Sequence, residues 1–450
     1  MNSVNRAGYG YLINTNAKLF FGGDTVAAAT SINWISLLVV GLMVFEILSL
    51  LKQDTAKALL GAILTVSFSN LLWLGLGVFN DVSGIALLLV SYFLALLYTQ
   101  KPHSWKLIGS ILFLIAASSI RLEYFLGIIP LLSTLKLGWP KTLITTVTLL
   151  VCQGLLLAPL YSPQWLSGQA GIFEDANLVH VYSLFIFAGL FIAYFKFRKR
   201  SFAFLGLGVA LLYLILPIIT KERFFYGFTM QQFLPVIILA VIISLLSIFN
   251  YKRSAKLAPD AEIFGFLALL FAAFYHTYHF HHLVVIFPFA CINLICLLSS
   301  YKLPRLLTNL LLLLLIGVNF FNYFTLFYGL KEDLPQYLAK TVLQVGQSNG
   351  GNINAQNSLI YSEFPLEMYY WTGLPATAEV TGDRTEPGDS SPPQYLLYVD
   401  PANRANYPVQ TGYTLISQEQ QSFKVNYQMF YQNRPISDYS SFKVSVYRRN

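Results

Sequence analysis

Charged residues are scarce in this 450-residue sequence, at 11% of the chain, whereas hydrophobic residues reach 56%. So little charge speaks against a solvated chain. With Tyr and Phe abundant, it is the composition of an integral membrane protein. Cysteine is scarcer still: Cys152, Cys291 and Cys296 all sit in apolar runs. They offer no disulfide framework, and no CxxC spacing suggests a metal site. The first 29 residues are polar and Gly-rich and lack the basic-then-apolar order of a cleavable signal. No internal repeat stands out.

The charge that is present is unevenly placed. Residues 1–330 hold 20 Lys and Arg against 10 Asp and Glu, and residues 331–450 hold 9 against 11. The basic excess therefore belongs to the apolar part, where it sets membrane orientation rather than binding nucleic acid.

Twelve apolar segments read as membrane helices: 30–51, 56–78, 82–99, 107–120, 122–135, 142–160, 179–195, 202–219, 226–249, 262–279, 282–300 and 305–328. A full span takes about 20 residues, so the fourth and fifth are short. Between them lie Arg121 and Glu123. A charge at the bilayer centre costs at least about 2.5–3.5 kcal/mol, so such residues lie at a surface or face a polar cavity. Reading the two segments as a hairpin, with Arg121 and Glu123 at the outer side, gathers Lys52, Lys57, Lys106, Lys136, Lys141, the 196–200 cluster and Arg305 on the inner side. Fusing them into one helix would send the 196–200 cluster outward, against the positive-inside rule. Both termini then face outward.

The domain reading follows: an outer-face tail over 1–29, a transmembrane domain over 30–328, and a soluble α/β extracytoplasmic domain over 329–450. Within the last, 358–362, 394–399 and 441–447 read as strands and 364–372 as a short helix. Residues 346–355 and 383–393 are loop-like by composition.

Several residues carry candidate chemistry, each with a plainer alternative. Asp24 precedes a helical run and reads as its N-cap. Asp81 opens a segment, as a helix cap or as an acid at the mouth of a cavity within reach of Arg121. Arg121 suits bidentate contact with phosphate. Glu123 suits an acceptor, a metal or a cation such as Lys221 or Arg223. Arg121 and Glu123 read equally as structural ion-pair members. Lys221 and Arg223 flank Glu222 on the outer side, as phosphate ligands or snorkelling anchors. His276, His279, His281 and His282 form an HTYHFHH run in which a metal site lacks a Cys or carboxylate to complete it.

The order of these features resembles the GT-C superfamily of polytopic glycosyltransferases, nearest to protein mannosyltransferase-like enzymes and bacterial aminoarabinose transferases. Four stretches carry the likeness. They are Arg6-Ala7-Gly8-Tyr9 with Leu19-Phe20-Phe21-Gly22-Gly23-Asp24, then Asn80-Asp81, then Ile120-Arg121-Leu122-Glu123, and faintly His282 to Phe289 with Pro288. Ala7 and Gly10 stand where the family usually has prolines. Set against the family, the sequence starts after the first helix and most of the first outer loop, where the usual catalytic acid lies.

The resemblance implies an all-α polytopic membrane protein of about twelve spans with a small C-terminal α/β domain, in a bacterial inner or plasma membrane. It implies transfer of a sugar from a polyprenyl-phosphate donor to a lipid, glycan or protein acceptor on the extracytoplasmic side. Asp81 and Glu123 would be catalytic, and Arg121, Lys221 and Arg223 would hold the lipid phosphate. A divalent cation, Mg or Mn, is used by some of the family. Two other classes compete: a transporter or lipid flippase with charges lining a path, and an inactive GT-C-like protein that only binds.

Overall fold

The computed structural model describes residues 7–76, 80–121, 284–300, 304–323, 334–350, 353–362, 365–377, 393–401, 411–422, 430–431, 434–435 and 441–450, with single positions between 124 and 205. These fall in two compact units, divided between 323 and 334. Each is taken by itself, with elements numbered among the described residues.

The first unit is helical. It comprises α1 (Ala7–Phe20), α2 (Thr25–Leu50), α3 (Thr55–Val66), α4 (Ser69–Leu76), α5 (Asp81–Gln100), α6 (Ser104–Ile120), α7 (Ile286–Ser300) and α8 (Arg305–Tyr323). Where 1–29 reads as a tail, a 14-residue helix stands. Gly22 and Gly23, both at positive φ, end it, and the Gly23 N–H returns to the Ala17 carbonyl at 3.0 Å. Glycine meets no Cβ penalty in that region. Asp24 then caps α2, accepting from the N–H groups of Val26 and Ala27.

Two described helices, α2 and α5, are long and apolar enough to cross a membrane. At 1.5 Å per residue, 26 and 20 residues make about 39 and 30 Å, against a hydrocarbon core of about 30 Å. A stripe of α2 at Ala28, Ile32, Ser36, Val40, Val44 and Ile47 is buried, while Trp34, Ile35, Leu38 and Leu42 are exposed on the other side. A helix apolar all round fits a lipid environment better than water. In α8 the exposed side is also apolar, with Leu306, Leu310, Leu314 and Phe321 outward.

The packing between helices uses small residues. Ser91 of α5 and Ser110 of α6 each donate to the other's carbonyl, at 2.7 and 2.8 Å. A side chain on Gly61 would meet Leu48 at 2.7 Å, and one on Gly75 would meet Leu37 at 2.9 Å. Close approach and hydroxyl bonds are how helices associate where no water drives them together.

The apolar run 56–78 is two helices rather than one. Thr65 and Ser67 turn their hydroxyls back onto the carbonyls of Gly61 and Leu64, competing with the helical ladder. Phe68, at the break, stacks on Phe287 with centroids 3.9 Å apart.

At the opposite end of the α2–α5 pair from Asp81, Gln100 donates to the Leu50 carbonyl. Asp54 caps α3 through the Lys57 N–H at 3.0 Å and lies 3.5 Å from the Lys57 ammonium and 3.4 Å from Arg305. Burial works against ionisation of Asp54, but the Lys57 N–H, the Lys57 ammonium and Arg305 together hold its carboxyl below the usual range. Lys57 also reaches Ser299 at 3.2 Å, so α3, α7 and α8 share one polar clasp.

The second unit is an α/β sandwich of two layers. Its five-stranded sheet runs β2-β1-β3-β7-β4, with β1 (Ser358–Tyr361), β2 (Ala376–Thr377), β3 (Tyr395–Pro401), β4 (Tyr413–Gln421) and β7 (Phe442–Arg449). The short strands β5 (Phe430–Tyr431) and β6 (Arg434–Pro435) pair separately. β1 is parallel to β2 and β3, and β7 is antiparallel to β3 and β4.

Alternation sorts the residues between faces. Ile360, Leu397, Val399, Phe442, Val444 and Val446 pack under α9 (Leu334–Gly350) and α10 (Pro365–Thr372). The other face carries Tyr361, Leu396 and Tyr398, flanked by Tyr413 and Tyr447. The strands β1, β3 and β7 and helix α10 start and stop within two residues of their expected ranges. The stretch 346–350, loop-like by composition, instead ends α9. There a Cβ on Gly346 would meet Ile353 at 2.8 Å, so the glycine serves close packing and not a turn.

Candidate functional site

Two charged residues in apolar surroundings each need a counterpart, and here they supply one another. Asp81 is the first residue of α5, and Arg121 follows the last residue of α6 with extended backbone, φ −143° and ψ 117°. The Arg121 Nη1 donates to Asp81 Oδ1 in a close ion pair. Asp81 is 1% exposed and Arg121 5%. Asp81 therefore spends its side chain on the guanidinium and not on a cap. Asn80, at the N-cap position, makes no side-chain cap bond either.

The neighbouring groups are polar and buried. Asn80 Nδ2 donates to the Ile120 carbonyl at 3.2 Å, so Asn80 and Asp81 converge on the same bend, 120–121. Tyr124 donates its hydroxyl to the Asp81 carbonyl at 3.2 Å. Ser83, two residues on, donates to Asn33 Oδ1 at 3.1 Å, and Tyr9 of α1 donates to the same oxygen at 3.1 Å. Ser36 donates to Ser83 at 3.1 Å. Tyr9, Ile32 and Ile120 form an apolar patch beside this network, so α1 packs where the two charges meet.

Two acceptors remain. Asp81 Oδ2 and Asn80 Oδ1 are buried without a hydrogen-bond partner among the described residues. A buried unsatisfied polar group costs about 1–3 kcal/mol, and most native ones are paired. Two together mark an arrangement suited to receive hydrogen-bond donors.

The Tyr124 N–H donates to the Arg121 carbonyl at 3.1 Å. Tyr124 then packs on Gly84 near the start of α5. Further on, Tyr92 donates to the Gly127 carbonyl at 2.6 Å. Tyr124 and Gly127 thus lie against successively later positions of α5, at Gly84 and then at Leu88 and Tyr92.

Of the sequence candidates, the structure brings Asp81 and Arg121 together. Glu123, Lys221, Arg223 and the His276–His282 run lie outside the described residues, as do most positions of the segments between 132 and 283. Asn33, Ser36, Ser83, Tyr9 and Tyr124 are additions. The available signal was a lone Asn inside the apolar run of α2, a placement that is costly in lipid and rarely idle.

Among the described residues no three His, Cys, Asp or Glu side chains gather as metal ligands. The network brings one carboxylate, already paired with a guanidinium, where Mg takes several oxygens in near-octahedral order. The described residues do not fit a divalent cation, and no step below depends on one.

No protein-family model matches the chain, and no curated protein matches it either.

Proposed function

We propose that this chain is a membrane glycosyltransferase of the GT-C type, taking a sugar from a polyprenyl-phosphate donor on the extracytoplasmic side. The observation that carries the reading is the buried Asp81–Arg121 pair, whose second carboxylate oxygen has no partner among the described residues. The apolar helices around it suit a lipid-borne substrate.

In this reading the acceptor hydroxyl attacks the anomeric carbon as the bond from that carbon to the donor phosphate breaks. The hydroxyl proton passes to Asp81, and polyprenyl phosphate leaves with the bonding pair. General-base help of this kind contributes about 10²–10⁴-fold. Phosphate is a competent leaving group, so the further demand is for positioning and charge neutralisation. Arg121 supplies a cation at that point, with Lys221 and Arg223 as further phosphate ligands and Glu123 orienting acceptor or sugar. Transfer would occur with the Asp81 end of α5 at the outer surface and the Asp54 end inside.

The test is transfer of label from polyprenyl-phosphate sugars in membranes carrying wild type, Asp81→Asn or Arg121→Ala. Both variants should insert normally and lose transfer. Full activity in both overturns the residue assignment. Uptake of label into vesicles with no glycosylated product would replace the reading with a transporter.

A further inference from the structure

The turn between α5 and α6, Lys101-Pro102-His103-Ser104-Trp105-Lys106, lies at the opposite end of the pair from Asp81. Its charge is all of one sign: α6 carries no acid, and the one acid of α5 is Asp81 itself. Lys106 is 8% exposed. Its ammonium donates to the Leu97 carbonyl at 3.3 Å and to the Lys101 carbonyl at 2.9 Å, closing the last turn of α5. These carbonyls offset only part of its charge, since a helix C-terminus carries about half a negative charge. The Lys101 side chain is exposed, and neither lysine forms an ion pair among the described residues. At the neighbouring end of α2, Lys52 is exposed, Glu46 sits a turn before the terminus, and Asp54 is taken by Lys57 and Arg305.

From this cationic end an apolar stripe runs along α6. Trp105, Ile108 and Leu112, spaced to share one helical face, are 61%, 56% and 57% exposed. At 1.5 Å per residue the stripe is about 10 Å long. The Lys106 ammonium lies 5.8 Å from the centre of the Trp105 ring. An indole, apolar in body and polar at its N–H, suits the boundary between lipid headgroups and acyl chains.

A soluble anion would use the lysines and leave the stripe bare. A neutral lipid would cover the stripe and leave the lysines without an anion. We infer that the α5–α6 turn docks an anionic phospholipid, its headgroup phosphate on Lys101 in the field of Lys106 and its acyl chain along Trp105, Ile108 and Leu112. The complementarity of charge at one end and of apolar surface along α6 selects that occupant. In the proposed orientation the lipid belongs to the inner leaflet, and the inference stands whether or not the chain transfers a sugar.

The experiment measures the unfolding temperature of the full chain in a neutral detergent with titrated dioleoyl phosphatidylglycerol or dioleoyl phosphatidylcholine. The two lipids share acyl chains and differ in net charge. Phosphatidylglycerol should give the larger rise in wild type, and about 0.5 M NaCl should shrink the difference by screening. Lys101→Gln should weaken the apparent affinity for phosphatidylglycerol about 5-fold, the effect of one lysine at an anionic surface. Lys106 bonds the Lys101 carbonyl and not its side chain, so this variant leaves the turn intact. Lys101→Arg should keep the affinity, and so should Lys18→Gln on α1. Trp105→Ala should weaken both lipids.

Equal rises with the two lipids, or a preference for phosphatidylglycerol that salt leaves untouched, overturns the docking site. A loss in Lys18→Gln as large as in Lys101→Gln overturns it in favour of overall positive charge. The same rise with glycerol 3-phosphate alone assigns the lysines to a soluble anion and overturns the lipid. Unchanged binding of both lipids by Trp105→Ala removes the stripe, and the lipid with it.

Discussion

The ring of Tyr124 fills the space that a side chain on Gly84 would need: a Cβ placed there would overlap the ring edge. The contact seats Tyr124 against α5 close to Asp81, with the Tyr124 hydroxyl on the Asp81 carbonyl. Gly84→Ala should therefore displace the ring and cost about 1–3 kcal/mol, as overpacking does. Tyr124→Phe keeps the ring and drops one hydrogen bond, costing about 1 kcal/mol. Thermal unfolding in detergent should rank wild type above Tyr124→Phe above Gly84→Ala, and an unchanged Gly84→Ala would refute the contact.

Removing one member of the Asp81–Arg121 pair strands the other in a buried setting. Either Asp81→Ala or Arg121→Ala should lower stability by about 3–5 kcal/mol, and the double replacement by less than the two added. A double-mutant cycle read by chemical unfolding checks this. Strict additivity would mean the two charges do not interact.

The Asp54 clasp should respond to acid. Its folded-state carboxyl is held below its ordinary value of 3.8, despite burial, by the Lys57 N–H, Lys57 and Arg305. A depressed pKa contributes stability that is present above 3.8 and is lost as pH falls through the lower folded value. Asn is an equally good N-cap, so Asp54→Asn removes the ion pairs alone. The wild-type advantage should be small, about 0.2–1 kcal/mol for partly exposed pairs. It should be constant near neutrality and vanish in strong acid. An advantage that persists at pH 2 would contradict it.

Tyr398 should titrate late. Burial pushes its hydroxyl well above the ordinary tyrosine value of 10, with Tyr361, Tyr447 and Asp400 adding to the rise. A raised folded pKa contributes stability fully present below pH 10 and lost as pH climbs beyond it. Tyr398→Phe should weaken the alkaline loss of stability, and phenolate absorbance in the folded chain should show one fewer late-titrating tyrosine. An unchanged absorbance titration would place the late group elsewhere.

What the sequence makes legible follows from the strength of its signals. A charge in an apolar run is costly enough to require a counterpart, so Arg121 and Asp81 stand out and their meeting can be anticipated. Asp24 before an apolar stretch is a strong start signal. The neutral network of Tyr9, Asn33, Ser36 and Ser83 is hidden because hydroxyls and amides shift local hydropathy little. Its partners lie 24 to 50 residues apart along the chain. Helix α1 is obscured by its glycines and asparagines, whose preference for turns is overridden by packing of Tyr9 and Ala17 and by the bond from Asn16 to Ser31. The same override carries α9 through Gly346, where closeness to Leu397 outweighs low helix propensity.

The fifth strand of the sheet has its own consequence. Among the described strands β4 is an outer one, nine residues long, with Leu415 and Ile416 exposed. Such a rim is a template on which another chain can lay a strand. Here the pairing with β7 slips between Leu415 and Ser417, and the remainder reads Gln418-Glu419-Gln420-Gln421. The slip twists the rim away from flat stacking, and the acidic, amide-rich half has little apolar surface to offer. Crowded copies of this unit are thereby kept from zipping together, with the short apolar pair at the bulge as the place where self-association would begin.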